Sequence, residues 1–472
     1  MSNETKGNPL GTKPILPLLM QYAIPSIISM LVTSIYNIVD QLYISWDVGN
    51  VGNGATTVAF PIITVGLAFA LLVGNGSAAF ISINLGSGNK EDAQKSLGQA
   101  VVLCVVSSVV LMALGLLFLE PLLKMLGGSE VMDYARDYTS VILLGFPLNS
   151  LGVCLSNIIR ADGSPRHSMF CVLVGAVLNV ILDPIFIFVF GMEVKGAAIA
   201  TVISQGASML VVLYYFWKRG KILRLQNTSY RLIPPMARRI CALGSASFIT
   251  QMAIAIVNTV LNISLTYYGA QTVYGSVKAL SAMGIVMKIN AIVISVVLGF
   301  VIGAQPLLGY NYGAGNYSRV RRTYFTEISF TFAIGAIACL VFVTMPQVII
   351  SILRDPDPLF NEFAAKSMRT YLCCLFTVGI QIPSANYFQA VGKPLKAMTL
   401  SMSRQILLLV PAILILPLFF GLDGVLYAAP VADVGALLIT SFFIIREMRH
   451  LGKAVVIQET EISLKGGAQN AS

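Results

Sequence analysis

Long apolar runs separated by short polar, glycine-bearing connections dominate the chain. About twelve of these runs reach the ~20 residues that a helix needs to cross a bilayer. They lie near 17–45, 56–84, 96–119, 137–159, 166–190, 196–217, 238–267, 280–308, 323–350, 366–390, 397–420 and 425–446. Backbone polar groups in hydrocarbon must be satisfied within their own segment, so the pattern predicts an all-α polytopic membrane protein. The landmarks also repeat: residues 26–212 and 245–440 carry the same features in the same order. Leu85-Gly-Ser-Gly-Asn89 answers to Tyr312-Gly-Ala-Gly-Asn316, and Arg160-Ala-Asp-Gly-Ser-Pro to Gln389-Ala-Val-Gly-Lys-Pro, at an offset of about 228 residues. Internally repeated halves are the usual build of secondary transporters. The expected organisation is an N-lobe over 1–217, a linker over 218–237 marked by basic residues and Pro234-Pro235, a C-lobe over 238–450, and a polar tail over 451–472. Each lobe is expected to be a pseudo-symmetric six-helix bundle.

Composition agrees with this reading. The chain is 56% hydrophobic and 11% charged, whereas a soluble domain carries about 25% charged residues. The net charge of +10 does not indicate nucleic-acid binding, because the charge follows topology: 22 of the 31 Lys and Arg fall on the loops and tails of one face and 7 on the other. That bias predicts both termini on the cytoplasmic side of the membrane. The polar first dozen residues have no signal-peptide pattern, so the first apolar run is expected to be a retained helix. All seven cysteines fall inside apolar runs, which argues for small hydrophobes rather than a disulfide or zinc framework. His167 and His450 sit in polar loops without metal-ligand neighbours. Gly74-Asn-Gly76 and Gly86-Ser-Gly88 lack the context of a phosphate-binding loop, so no ATPase and no enzyme is expected. The energy source is then an ion gradient, and no cofactor beyond the coupling ion is anticipated.

Five charged residues fall well inside apolar runs: Asp40, Asp183, Lys288, Arg404 and Asp433. Charge at that depth costs about 2.5–3.5 kcal/mol on insertion scales, so such residues face protein or a wet cavity and mark function. Tyr36, Asn37 and Asp40 lie one turn apart on the first span, Asn179 and Asp183 one turn apart on the fifth, and Thr201 adds a hydroxyl on the sixth. Carboxylate, amide and hydroxyl oxygens are hard ligands for a small cation such as Na+, which Asp40, Asn179, Asp183 and Thr201 are candidates to hold. Closely set carboxyls shielded from water equally suit a proton carrier. Bland alternatives stand beside these. Asp183 precedes Pro184, and Asp-Pro often breaks a helix. Asp40 lies close to the interfacial Trp46 and Asp47. Lys288 and Asp433 pair with each other or handle substrate, and Arg404 snorkels to the interface. Aromatic and methionine side chains suit a flat lipophilic cation. The candidate cavity lining is therefore Asn37, Phe60, Phe69, Phe146, Gln251, Met252, Met283, Met287, Lys288, Phe388 and Asp433.

Taken together, Tyr36-Asn-Ile-Val-Asp-Gln41, Ala59-Phe-Pro61, Gly74-Asn-Gly-Ser-Ala78, the Leu-Gly-Ser-Gly-Asn and Arg-Ala-Asp-Gly-Ser-Pro loops and Leu178-Asn-Val-Ile-Leu-Asp-Pro184 resemble the multidrug and toxic compound extrusion (MATE) family, in its MepA-type, DinF-like branch. The resemblance implies twelve helices in two lobes forming a V-shaped cavity. It implies antiport of lipophilic cationic drugs against H+ or Na+ by a monomer in the lipid bilayer. It also implies a cation site at Tyr36, Asp40, Asn179, Asp183 and Thr201, with Pro25 as the point where the first helix bends. The seventh span, Phe248-Ile-Thr-Gln-Met252, and the tenth lack the acidic residues of the NorM branch, which favours coupling through the N-lobe. The alternative function is a lipid-linked saccharide flippase of the same superfamily. A strongly cationic cavity would mark that activity, and only Lys288 and Arg404 are candidates for it. A non-transporting scaffold would have no use for buried carboxylates.

Overall fold

The computed structural model describes residues 8–227, 230–351 and 357–469, and all regular structure among them is helical. Among the described residues, eleven helices are long and apolar enough to span a membrane. The N-lobe contains α1 (Ile15–Asp47), α2 (Gly49–Gly86), α3 (Lys90–Leu117), α4 (Met132–Ala161), α5 (Pro165–Val189) and α6 (Glu193–Arg219). The C-lobe begins with α7 (Pro234–Gly269), α8 (Gly275–Gly313) and α9 (Tyr317–Thr344). The tenth apolar run differs from the expected single helix: it forms α10 (Pro358–Tyr371) and α11 (Leu375–Ala390), separated by a turn. α12 (Pro394–Phe420) and α13 (Leu422–Gln469) follow, and α13 runs on through the segment expected to be a tail.

Side chains of α9 stabilise the broken tenth run. The Cys339 thiol donates to the Cys373 carbonyl at 2.8 Å, inside the turn. Pro383 has no N–H to offer the Gly379 carbonyl, and Thr331 Oγ1 donates to that oxygen instead at 2.6 Å. Orphaned carbonyls in a membrane helix need such partners.

The repeat seen in the sequence is reproduced in local geometry. α2 and α8 end in the same motif: Asn89 N–H donates to Asn84 O at 2.9 Å, and Asn316 N–H to Asn311 O at 2.8 Å. The turn residues are Gly88 (φ +83°) and Gly315 (φ +72°), a left-handed conformation that glycine adopts without strain.

The lobes meet at one end only. One apolar core there joins Leu19 and Ala23 of α1, Ile81 of α2, Phe300 and Tyr310 of α8, and Tyr387 of α11. Toward the other end each lobe has its own core, around Ile44, Ala55 and Val194 in the N-lobe and around Met283, Phe363 and Val425 in the C-lobe. Glycine sets the closeness of the junction. A Cβ at Gly86 would collide with the Tyr310 carbonyl, and one at Gly313 with the Ile83 carbonyl, so the same contact is made twice across the pseudo-twofold axis. Such close backbone approach supplies the dispersion contact that holds helices together in lipid, where no hydrophobic drive exists between them.

The linker after α6 is fastened to the N-lobe. Asp162, buried in the α4–α5 turn, accepts from Tyr215 OH (2.7 Å) and from the N–H groups of Lys221 (2.8 Å), Ile222 (3.0 Å) and Leu223 (3.0 Å). Burial pushes this carboxyl above its ordinary range, and the donors pull it back. Gln94 and Gln99 of α3 hold the rest of the linker through paired amide bonds to the backbone at Arg224 and at Arg231 and Ile233.

Candidate functional site

The N-lobe brings together the residues that the sequence placed on three separate helices. On α5, Asn179 and Asp183 lie one turn apart and face inward, and Asp183 is 0% exposed. The helix does not stop at Pro184, the break that Asp-Pro would suggest, but widens into a π-turn over Ile185–Val189, so Asp183 remains part of a continuous helical face. Asn179 Nδ2 donates to Asp183 Oδ1 (3.0 Å) and to Thr201 Oγ1 of α6 (3.3 Å). From α1, the Asp40 carboxyl lies within hydrogen-bonding reach of Asp183, with Tyr36 beside both. Two carboxyls in contact must share either a proton or a cation.

Three buried acceptor oxygens, Asp40 Oδ1, Asp183 Oδ2 and Asn179 Oδ1, have no hydrogen-bond partner. Leaving buried acceptors unsatisfied costs about 1–3 kcal/mol each, and a proton or small cation bound among these side chains would offset that cost. The donor set, all oxygen and with two carboxylates, fits Na+ as well as a proton. α1 passes through Pro25 as one uninterrupted helix, and Pro25 is buried beside the lobe junction, where Ala23 and Ile27 pack on Gly303 and Gly299 of α8.

Sequence reasoning missed several residues. Tyr138 of α4, buried, lies within electrostatic reach of Asp40, Tyr36 and Asp183, and no spacing rule links α4 to α1 and α5. Glu327 of α9 is 0% exposed, and neither of its carboxyl oxygens has a partner. Its place near the start of the ninth apolar run is the signal that marks it as a sixth intramembrane charge. A polar chain also crosses the junction from lobe to lobe. Arg160 donates to Asn157 and to Ser168 (2.8 Å), and Asn157 donates to Asn75 Oδ1 (2.7 Å). Asn75 Nδ2 then donates to Ser247 of α7 (2.9 Å), which bonds Gln389 of α11 at 3.2 Å. Phe69 of α2 and Phe248 of α7 also meet edge to face across the lobes, at 5.1 Å.

The C-lobe expectations need correcting. Asp433 does not pair with Lys288; it takes Arg404 Nε at 2.7 Å, and its own carbonyl accepts from Gln381 at 2.9 Å. Arg404 therefore does not snorkel. It sits in a π-widened stretch of α12, Ser403–Leu409, that faces Asp433. Phe146, Met283, Phe388 and Asp433 are packed in the cores rather than lining a cavity; Phe146 fills the space against Gly66. Asn37, Phe60 and Lys288 are exposed, and Gln251, Met252 and Met287 are partly buried.

Comparison with known proteins agrees with this geometry. The family model MatE matches residues 25–185 and 246–414, one match in each lobe. The multidrug export protein MepA of Staphylococcus haemolyticus is 25% identical over 447 residues, covering 94% of this chain and 97% of that protein. A FAD transporter of Shewanella oneidensis is 25% identical over 430 residues, covering 90% and 93%. Among solved structures, the MATE multidrug transporter DinF-BH in complex with rhodamine 6G superposes with a TM-score of 0.85 at 34% identity, covering 92% of this chain and 96% of that one. The repeated six-helix lobes, the junction at one end and the matches in both halves lead to one conclusion: the chain belongs to the MATE family of membrane transporters.

Proposed function

We propose that this protein exports lipophilic organic cations across a bacterial plasma membrane in exchange for H+ or Na+, with the basic loops and both termini cytoplasmic. The observation that carries the reading is the buried Asp40–Asp183 pair with its unpaired acceptor oxygens. With that orientation, the glycine contacts and the Asn75–Ser247 link close the cytoplasmic end, and the cleft opens outward. A small cation loaded at Asp40 and Asp183 favours one arrangement of the lobes, and drug favours the other. Coupling requires only that each ligand bind the two arrangements unequally. The naming of MepA relatives as multidrug exporters and the rhodamine 6G complex of DinF-BH support a drug as cargo.

The test is dye efflux in everted vesicles with pH and sodium gradients imposed separately. One gradient alone should drive uptake of ethidium or rhodamine 6G, and Asp40→Asn and Asp183→Asn should each reduce it to the level of empty vesicles while inserting normally. Undiminished pumping by both variants would refute the site.

A further inference from the structure

The wall of the cleft facing the coupling site carries an unpaired positive charge. On α8, the residues that touch α1 form one stripe. Gly303 packs on Ala23, Gly299 on Ile27, and the Ser295 hydroxyl lies 2.6 Å from that of Ser34. Continued at helical spacing, the stripe passes through Ile292, Lys288, Gly284 and Ser281, and every one of these is exposed. A side chain added at Gly284 would meet nothing within 4 Å. The lobes therefore part just beyond Ser295, and Lys288 stands on the open side. It lies about 10 Å past Ser295, at 1.5 Å per residue, which is level with Asn37, Asp40 and Gln41 on the antiparallel α1. Asn37 is exposed at that level of α1.

Lys288 makes no hydrogen bond or ion pair among the described residues, while Arg404, the other C-lobe cation at depth, is neutralised by Asp433. An ammonium midway along a spanning helix is tolerated only where it meets water or an anion. We infer that Lys288 is an anion subsite of the cargo cleft, so that the transporter also takes amphoteric cargo: flat aromatic molecules with an anionic group placed on Lys288 and a cationic end directed to the N-lobe. This rests on the drug-export reading and narrows its substrate class. A purely cationic cargo gains nothing from Lys288 and is repelled by it, whereas an acid of the same shape gains a charge-assisted hydrogen bond.

A matched pair of dyes separates the cases: rhodamine 6G, a cationic ester, and the free acid of the same dye, whose carboxylate adjoins the cationic xanthene. Binding to the purified full-length protein is read by fluorescence polarisation for wild type, Lys288→Gln and Lys288→Arg. Lys288→Gln should weaken the acid about tenfold, a typical loss for a charged hydrogen bond. It should leave the ester unchanged or tighter, and Lys288→Arg should keep the acid. Equal acid binding by wild type and Lys288→Gln overturns the inference, and so does parallel loss of both dyes, which marks a packing role. Wild type that binds the ester and refuses the acid overturns the inference alone, and wild type that binds neither removes the drug-export reading with it.

Discussion

At the scale of single residues, the chain places its charges deep in the membrane in contrasting ways. Asp40 and Asp183 share one pocket with acceptors to spare, Asp433 is matched by Arg404, and Glu327 is enclosed with neither oxygen bonded. The contrast separates function from packing. Replacing Glu327 by leucine of similar volume removes an unsatisfied buried group and should stabilise the protein by about 1–3 kcal/mol. The readout is a melting temperature several degrees above wild type in detergent, and a fall would show that the carboxyl has a stabilising partner in the folded protein. Asp40, Asn179, Asp183 and Thr201 were legible because polar groups recurring at one-turn spacing in an apolar run cost too much to be there for packing alone. Tyr138 was not, because a tyrosine on a spanning helix is compatible with core, interface and site alike.

At the scale of elements, the sequence located the spans but not what happens inside them. The run at 366–390 has the composition of one helix, yet it breaks at Leu372–Cys374, where Cys339 of α9 takes a freed carbonyl, and Thr331 of α9 takes the Gly379 carbonyl that Pro383 leaves unpaired further on. The linker shows the same dependence on partners far away in sequence. Its basic, proline-bearing composition suggests a loose connection, and Asp162, Gln94 and Gln99 fix it to the N-lobe. Asp162→Ala would strand donors at Tyr215, Lys221, Ile222 and Leu223, costing about 2–4 kcal/mol. The expected result is faster tryptic cleavage at Lys221 and Arg224 with the helices intact. Cleavage at the wild-type rate would mean that the glutamines suffice.

At the scale of the whole molecule, the lobes are held together where glycines let backbones touch and where Asn75 reaches Ser247. The proposed rocking between two arrangements would break these contacts together, since Gly86 and Gly313 make the same contact on opposite sides of the pseudo-twofold axis. Gly313→Val inserts side-chain volume where the Ile83 carbonyl lies and should bias the protein toward the arrangement open at this end. Spin labels at the exposed Ser87 and Ser318 should then report a longer separation than in the otherwise native protein. An unchanged distance distribution would show that the junction yields elsewhere.

The sequence by itself determined the number and rough position of the spans, the internal repeat and the family, because burial in lipid imposes length and hydropathy on each segment independently of its neighbours. It also marked which oxygens are candidates to hold a cation, since intramembrane carboxylates are too costly to be incidental. Only the tertiary structure decided the partners. It paired Asp433 with Arg404 and gave Lys288 no ion pair among the described residues, it withdrew Phe146 and Phe388 into the cores, and it joined Asn157 to Gln389 through Asn75 and Ser247. Helical periodicity says which side of a helix is polar. Which neighbour that side meets depends on crossing angles and close glycine contacts between segments far apart in sequence, and no local pattern encodes them.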